Sequence, residues 1–141
     1  MSSKLQQKQD LKNSSNDLLR SEHDEQAAVV HYLQIKYPDA LFWATPNGAG
    51  LSGGGRSMNK LKAEGFLPGV SDLIIFEPRG GYSALFVEMK KANGGNGASD
   101  NQLWFIREVE ARGALGVVSN GADEAIAFID EYLGGQICLT K

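Results

Sequence analysis

Two apolar runs joined by a Gly-containing turn, between Gly69 and Lys90, constrain this chain more than any other stretch. Gly69-Val70-Ser71-Asp72-Leu73-Ile74-Ile75-Phe76 leads into Glu77-Pro78-Arg79-Gly80-Gly81-Tyr82, and Ser83-Ala84-Leu85-Phe86-Val87-Glu88-Met89-Lys90 follows. β-Branched and aromatic residues on both flanks of a Pro/Gly turn predict a β-hairpin. With the loop centred on Gly80, Asp72 faces Glu88 across the ladder. Facing Cβ atoms lie about 4.5–5.5 Å apart there, and like charges directly opposite each other are destabilising. A divalent cation offsets such repulsion, because hard ions take oxygen ligands, often one or two carboxylates completed by water and phosphate. Alternation along the strand puts Glu88 and Lys90 on one face and Met89 on the other. That face holds two carboxylates and an ammonium, the groups needed to bind a metal, direct a water at a phosphodiester and stabilise developing negative charge. The plainer alternative is a solvated face on which Lys90 simply neutralises Glu88.

The chain has 141 residues, enough for one domain with a real core. Its net charge of −3 argues against a generally basic nucleic-acid coat. The charge is unevenly placed, however: Arg56, Lys60, Lys62, Arg79, Lys90 and Lys91 surround the hairpin, whereas acids dominate after Asp100. A local basic rim beside carboxylates suits a phosphate-bearing substrate, with Arg56, Lys60, Lys62 and Lys91 as DNA-binding candidates. Cys138 is the sole cysteine, which excludes an intramolecular disulfide and a Cys-based zinc cluster and suggests a reducing compartment. His23 and His31 show no ligand pattern, and neither is expected to bind metal. No apolar run has membrane-spanning length and the polar N-terminus lacks a signal-peptide core, so a soluble, cytoplasmic protein with no membrane partner is expected.

Residues 1–20, rich in Gln, Lys, Ser and Asn, read as a disordered polar tail. Ser21, with Asp24 three residues on, resembles an N-cap before a helix that ends ahead of Pro38. Glu22, Gln26, Val29 or Val30, and Leu33 share one face of this helix, which places Glu22 at the core-facing edge where a third carboxylate could reach the hairpin. Alternatively Glu22 only complements the helix dipole, and Glu25 competes for the role if the register slips. Leu41–Ala44 reads as a short strand, Ser57–Glu64 as a short helix ended by Gly65, and 91–98 as a loop beside the hairpin site. The glycine cluster 50–55 could cradle a phosphate, but it meets the dinucleotide spacing only loosely, so no nucleotide cofactor is expected. Ser99 or Asp100 caps a helix to about Arg112, with Gln102, Phe105 or Ile106, and Val109 along one side. Leu115–Ser119 is an apolar strand parallel to the Glu88 strand, since a strand-helix-strand crossover joins them. An amphipathic helix from Asp123 to Leu133 closes the domain (21–133), and the tail 134–141 carries Ile137, Cys138 and Leu139 as a possible partner contact.

The order is therefore helix with Glu, strand, short helix, strand with Asp, strand with Glu-x-Lys, helix with Gln, strand, helix. It resembles the PD-(D/E)XK nuclease superfamily, a single-domain α/β fold with a mixed central sheet flanked by helices. Within that superfamily the chain is similar to the VRR-NUC (virus-type replication-repair nuclease) family. The matching residues are Ser21-Glu22 with Gln26, Pro46-Asn47-Gly48 with Gly50, Gly65-Phe66-Leu67-Pro68-Gly69-Val70-Ser71-Asp72, Glu88-Met89-Lys90, and Gln102 before an aromatic. Ser71 stands where that family commonly has Pro. The resemblance implies a Mg²⁺- or Mn²⁺-dependent DNA endonuclease whose metal ligands are Asp72, Glu88 and the backbone carbonyl of Met89. Glu22 would bind metal directly or through water, Lys90 would orient the attacking water and Gln102 would support the site. It also implies action on four-way-junction or other branched DNA in replication, repair or phage DNA processing, as a homodimer in a bacterial or phage-infected cell.

Three functions then compete. A metal-dependent, structure-selective endonuclease leads, with a flap or nicking nuclease as its variant. A catalytically silent DNA-binding module need keep none of Asp72, Glu88 and Lys90, and all three are present. A nucleotide-binding protein would use the Gly53–Arg56 loop.

Overall fold

Helix α1 (Glu22–Lys36) begins where the sequence supplies a reciprocal cap: the Ser21 hydroxyl accepts from the Asp24 amide at 3.1 Å, and the Asp24 carboxylate accepts from the Ser21 amide at 3.2 Å. This computed structural model describes residues 20–46, 57–93 and 95–135. The glycine-cluster loop with Arg56, the tail 1–19 and the apolar residues Ile137, Cys138 and Leu139 lie outside them. The buried side chains of α1 are Glu25, Val29 and Leu33, at i, i+4 and i+8. Glu22 is exposed, and with the half-buried Gln26 and Val30 it lies beside that buried stripe rather than on it, which corrects the expectation that it shares the core-facing edge with Leu33. A helical face is about 100° wide, and one residue of slip moves a side chain from core to rim.

Strands β1 (Phe42–Ala44), β2 (Leu73–Ile75), β3 (Leu85–Lys90) and β4 (Leu115–Asn120) form one mixed sheet in the order β1-β2-β3-β4. β1 pairs antiparallel with β2 and β2 with β3, while β3 and β4 are parallel. Helix α2 (Met58–Ala63) follows Ser57, α3 (Asp100–Ala111) is the crossover between β3 and β4, and α4 (Ala122–Leu133) comes last. Because β1 and β2 run antiparallel, the Gly-rich segment between them is not the turn of a parallel β-α-β dinucleotide unit.

The hairpin has the expected register, Leu73 opposite Val87, Ile74 opposite Phe86 and Ile75 opposite Leu85, for a reason the sequence did not suggest. The turn itself is the two-residue Gly80-Gly81, with φ of +56° and +87°, closed by an Arg79–Tyr82 bridge. Two positive φ values favour glycine in such a turn. That bridge is one step out of phase with the ladder. Phe76–Pro78 on one side against Ser83-Ala84 on the other takes up the difference.

Alternation sorts the two sheet faces. Leu73, Ile75, Leu85, Val87 and Met89 join Val29 and Leu33 of α1 and Ala125, Ile129 and Tyr132 of α4 in the main core. Each fully buried Val, Leu, Ile or Met side chain among these contributes about 1.5–3 kcal/mol of transfer free energy. Asp130 of α4 accepts from the Tyr32 and Tyr37 hydroxyls, each at 2.7 Å, tying α4 to α1 and the turn after it. On the opposite face Phe86 meets Phe105 of α3 edge-on at 5.7 Å, so α3 covers the side to which Glu88 and Lys90 point.

Candidate active site

The β2–β3 ladder ends at Leu73–Val87, and what lies beyond it is held by side chains. Asp72, the next residue of the first strand, takes the Met89 amide on its Oδ2 at 2.8 Å, replacing the rung that backbone pairing would supply. The Met89 carbonyl accordingly belongs to no β2 rung, while the Met89 side chain is buried in the core.

Glu88 is almost wholly buried, with its side chain 2% exposed, and its two oxygens have different fates. Oε1 accepts from Nε2 of Gln102 at 2.5 Å and pairs with Lys90 Nζ at 3.2 Å. Among the described residues, Oε2 is buried with no donor. The Asp72 carboxyl is close enough for a shared proton to join the two groups, but two ionised carboxylates offer each other none. Burial, followed by the Asp72 charge, pushes the Glu88 carboxyl up to about 8, against the pull of Lys90. Asp72 is raised as well, chiefly by burial, although the Met89 amide and Lys90 draw it down. Two carboxyls this close, both raised, oppose each other's ionisation.

Gln102 is oriented by its own helix. It occupies the third position of α3, where its Oε1 accepts from the Ser99 amide at 2.7 Å while its amide donates to the Ser99 hydroxyl at 3.3 Å. The same Oε1 accepts from Lys90 Nζ at 3.0 Å. Two donors on the amide oxygen leave Nε2 to face Glu88. This role of Ser99 was missed from sequence, although the Ser-x-x-Gln spacing of a capping box is a signal for it. Thr45 was missed too: its hydroxyl donates to the Ser71 carbonyl at 2.6 Å and its amide to the Asp72 carbonyl at 3.0 Å, fixing the backbone that carries Asp72.

The two helix carboxylates separate cleanly. Glu25 is buried and its Oε2 accepts from the Ala122 amide at 2.6 Å, capping α4 in place of Gly121, which has no side chain to do so. Glu22 is exposed and lines a cleft of about 400 Å³ with Gln26, His23, His31, Thr45 and Asp72. Its charge also raises the Asp72 carboxyl, as the smallest of the contributing causes. Of the proposed DNA-contacting cations, Lys60, Lys62 and Lys91 are exposed. The side chains that reach the carboxylates are Lys90 and Gln102.

Among the described residues no group of three or more His, Cys, Asp or Glu side chains forms a ready-made metal cage. The donor set nonetheless suits Mg²⁺ or Mn²⁺: two carboxylates and a strand-end carbonyl, all hard oxygen ligands, with the remaining positions open to water and phosphate. Among the described residues, no helix is long and apolar enough to cross a membrane.

A family model described as the VRR-NUC domain matches residues 7–123. A solved structure described as a VRR_NUC domain protein is similar over 82% of this chain and 90% of its own, with 25% sequence identity and a TM-score of 0.69. Among curated proteins, none matches.

Proposed function

Because this chain belongs to the VRR-NUC family, whose domain is of nuclease type, we propose that it is a divalent-metal-dependent DNA endonuclease selective for branched DNA such as four-way junctions. The observation that supports the reading best is the buried Oε2 of Glu88, without a donor and next to Asp72. A cation there is the simplest partner for both acids, and a phosphodiester is the substrate that brings the complementary charge.

Asp72, Glu88 and the Met89 carbonyl would hold Mg²⁺ or Mn²⁺ in this reading, with Glu22 binding it directly or through water. The bound metal would polarise the phosphate and acidify a water. Lys90 has three N–H donors, of which Glu88 and Gln102 engage two. The third can direct the attacking water or meet charge building on the phosphate. Gln102 keeps Glu88 Oε1 occupied, so that Oε2 is the oxygen presented to the cation. Lys60, Lys62, Lys91 and Arg56 steer the DNA backbone towards the site. The nuclease domain spans 21–133, between the polar tail 1–20 and a tail 134–141 that carries Ile137, Cys138 and Leu139 as a partner contact.

Purified protein incubated with single-stranded, duplex, flap and four-way DNA, in Mg²⁺, Mn²⁺ or chelator, tests this. Metal-dependent cleavage with preference for branched substrates is expected. Metal-independent retention of DNA without cleavage would make the chain a silent binding module.

A further inference from the structure

Thr45 and Asp72 stand where two clefts meet. One is the polar cleft beside α1 that includes Glu22. The other, about 330 Å³, runs from Asp72 and Gln102 along Pro46, Phe66, Leu67 and Val70, and its wall is mostly apolar. That wall is preformed. The Phe66 amide is anchored to the Leu61 carbonyl at 2.9 Å. Gly69, at φ +88°, lies so close to the first turn of α3 that a Cβ would sit 2.4 Å from the Asn101 carbonyl oxygen. The same close approach holds Gln102 at the mouth of the cleft. Leu67 remains 42% exposed, an apolar side chain presented to solvent beside ionisable groups.

Resting on the nuclease reading, we propose that this apolar cleft receives the nucleobase of an unpaired nucleotide next to the scissile phosphate. With the phosphate held at Asp72 and Glu88, the neighbouring positions on the strand are nucleosides, and an apolar wall rejects another phosphate. The volume falls in the range of about 300–1,000 Å³ at which clefts enclose small organic groups. A base inside a duplex is stacked on both sides and paired on its edge, so entry requires that it be unpaired or extruded. Junctions, flaps and frayed ends present such bases at low cost. Selectivity for branched DNA then resides in a pocket beside the metal ligands, and it is tolerant of base identity because every base has an apolar face.

The test uses oligonucleotide substrates carrying a single abasic residue at successive positions around the branch point and any cut mapped there. Binding is read by fluorescence anisotropy in an Asp72→Asn background, whose neutral amide neither repels phosphate nor supports cleavage. Leu67→Ser is the probe variant because the side chain is exposed, and Phe66→Ala is the second, with thermal unfolding to verify folding of each. One abasic position adjoining the cut should weaken binding about tenfold. The same abasic residue should cost nothing further once Leu67 or Phe66 is replaced. Equal losses at all positions, or losses that simply add in the variants, would overturn the cleft while cleavage by the unmodified protein left the nuclease reading standing. The coupling without any cleavage would support the cleft as a base-binding site and sink the nuclease reading. Failure of the Asp72→Asn protein to bind DNA at all would overturn the cleft, and the nuclease reading would stand or fall with cleavage by the unmodified protein.

Discussion

Gln102 donates its Nε2 to Oε1 of Glu88 at 2.5 Å, and this contact ties the cap of a helix to the acid at the centre of the site. The same amide accepts from Lys90 and Ser99 through its other atom, so its orientation is not free. Replacing Gln102 with Leu removes one of the two donors on a buried carboxylate and one of the two acceptors that hold Lys90. Turnover is expected to fall about tenfold to a hundredfold, with thermal stability changed by no more than about 1–3 kcal/mol. Single-turnover rates at saturating metal measure the first and thermal melts the second; an unchanged rate would make Gln102 a helix cap only.

Asp72→Ala and Glu88→Ala are each expected to abolish cleavage while leaving the fold intact. Either change relieves the repulsion between two close acids but takes an acceptor from the Met89 amide or from Gln102 and Lys90, so the metal-free protein should stay folded with its stability changed by about 1–3 kcal/mol. Differential melting in chelator and a cleavage assay read both effects. Near wild-type cleavage by either variant would rule this site out.

The pH dependence follows from the raised carboxyl. Glu88 moves from an ordinary 4.5 to about 8 in the folded protein, which therefore keeps a proton that the unfolded chain gives up. Below about 4.5 both states are protonated. Between about 4.5 and about 8 the unfolded state binds fewer protons, so stability in chelator falls as pH rises through that window, and Glu88→Gln should flatten the slope. Metal must displace the same proton. Apparent Mg²⁺ affinity is therefore expected to rise about tenfold per pH unit up to about 8, as measured by titrations at successive pH values. A pH-independent affinity would mean that Glu88 is not a ligand.

Lys90→Ala should lower turnover by about a hundredfold to a thousandfold with little change in substrate affinity, because a donor aimed at developing charge acts in the transition state. Steady-state kinetics separate the two. A change confined to KM would reduce Lys90 to a phosphate contact.

Glu22 and Glu25 should behave oppositely. Glu22→Gln is expected to raise the metal concentration needed for half-maximal cleavage and to spare stability, since the side chain is exposed at the cleft. Glu25→Ala should cost about 1–3 kcal/mol by leaving the Ala122 amide unsatisfied, with the metal requirement unaltered. Chemical denaturation paired with metal titration tells them apart.

The chain is expected to be a homodimer, since cutting two strands of a symmetric junction calls for two related sites and C₂ pairing is the commonest way to supply them. Leu41, Trp43 and Phe76, at 57%, 44% and 53% exposure, add an apolar surface at the β1 side of the sheet to the contact expected at Ile137–Leu139. Light scattering at micromolar concentration decides; an active monomer would favour a nicking or flap nuclease.

What the sequence determined by itself was local. Period-two alternation set Glu88 and Lys90 on one face and Met89 on the other. Ser21 announced its helix through Asp24 three positions on, and Ser99 or Asp100 marked the start of another. Each of these follows from neighbours in the chain, whose geometry is dictated by backbone sterics and hydrogen bonding. The tertiary structure alone decided which helix acid serves the site. Glu22 and Glu25 are less than one turn apart, and only the packing of α1 against α4 shows that Glu25 is consumed by the Ala122 amide and Glu22 left at the cleft. It also decided that Gln102 bridges Glu88 and Lys90, and that one oxygen of Glu88 stays without a donor. Those are relations between elements far apart in sequence. They depend on how helices seat on the sheet to within an ångström, which no periodicity encodes.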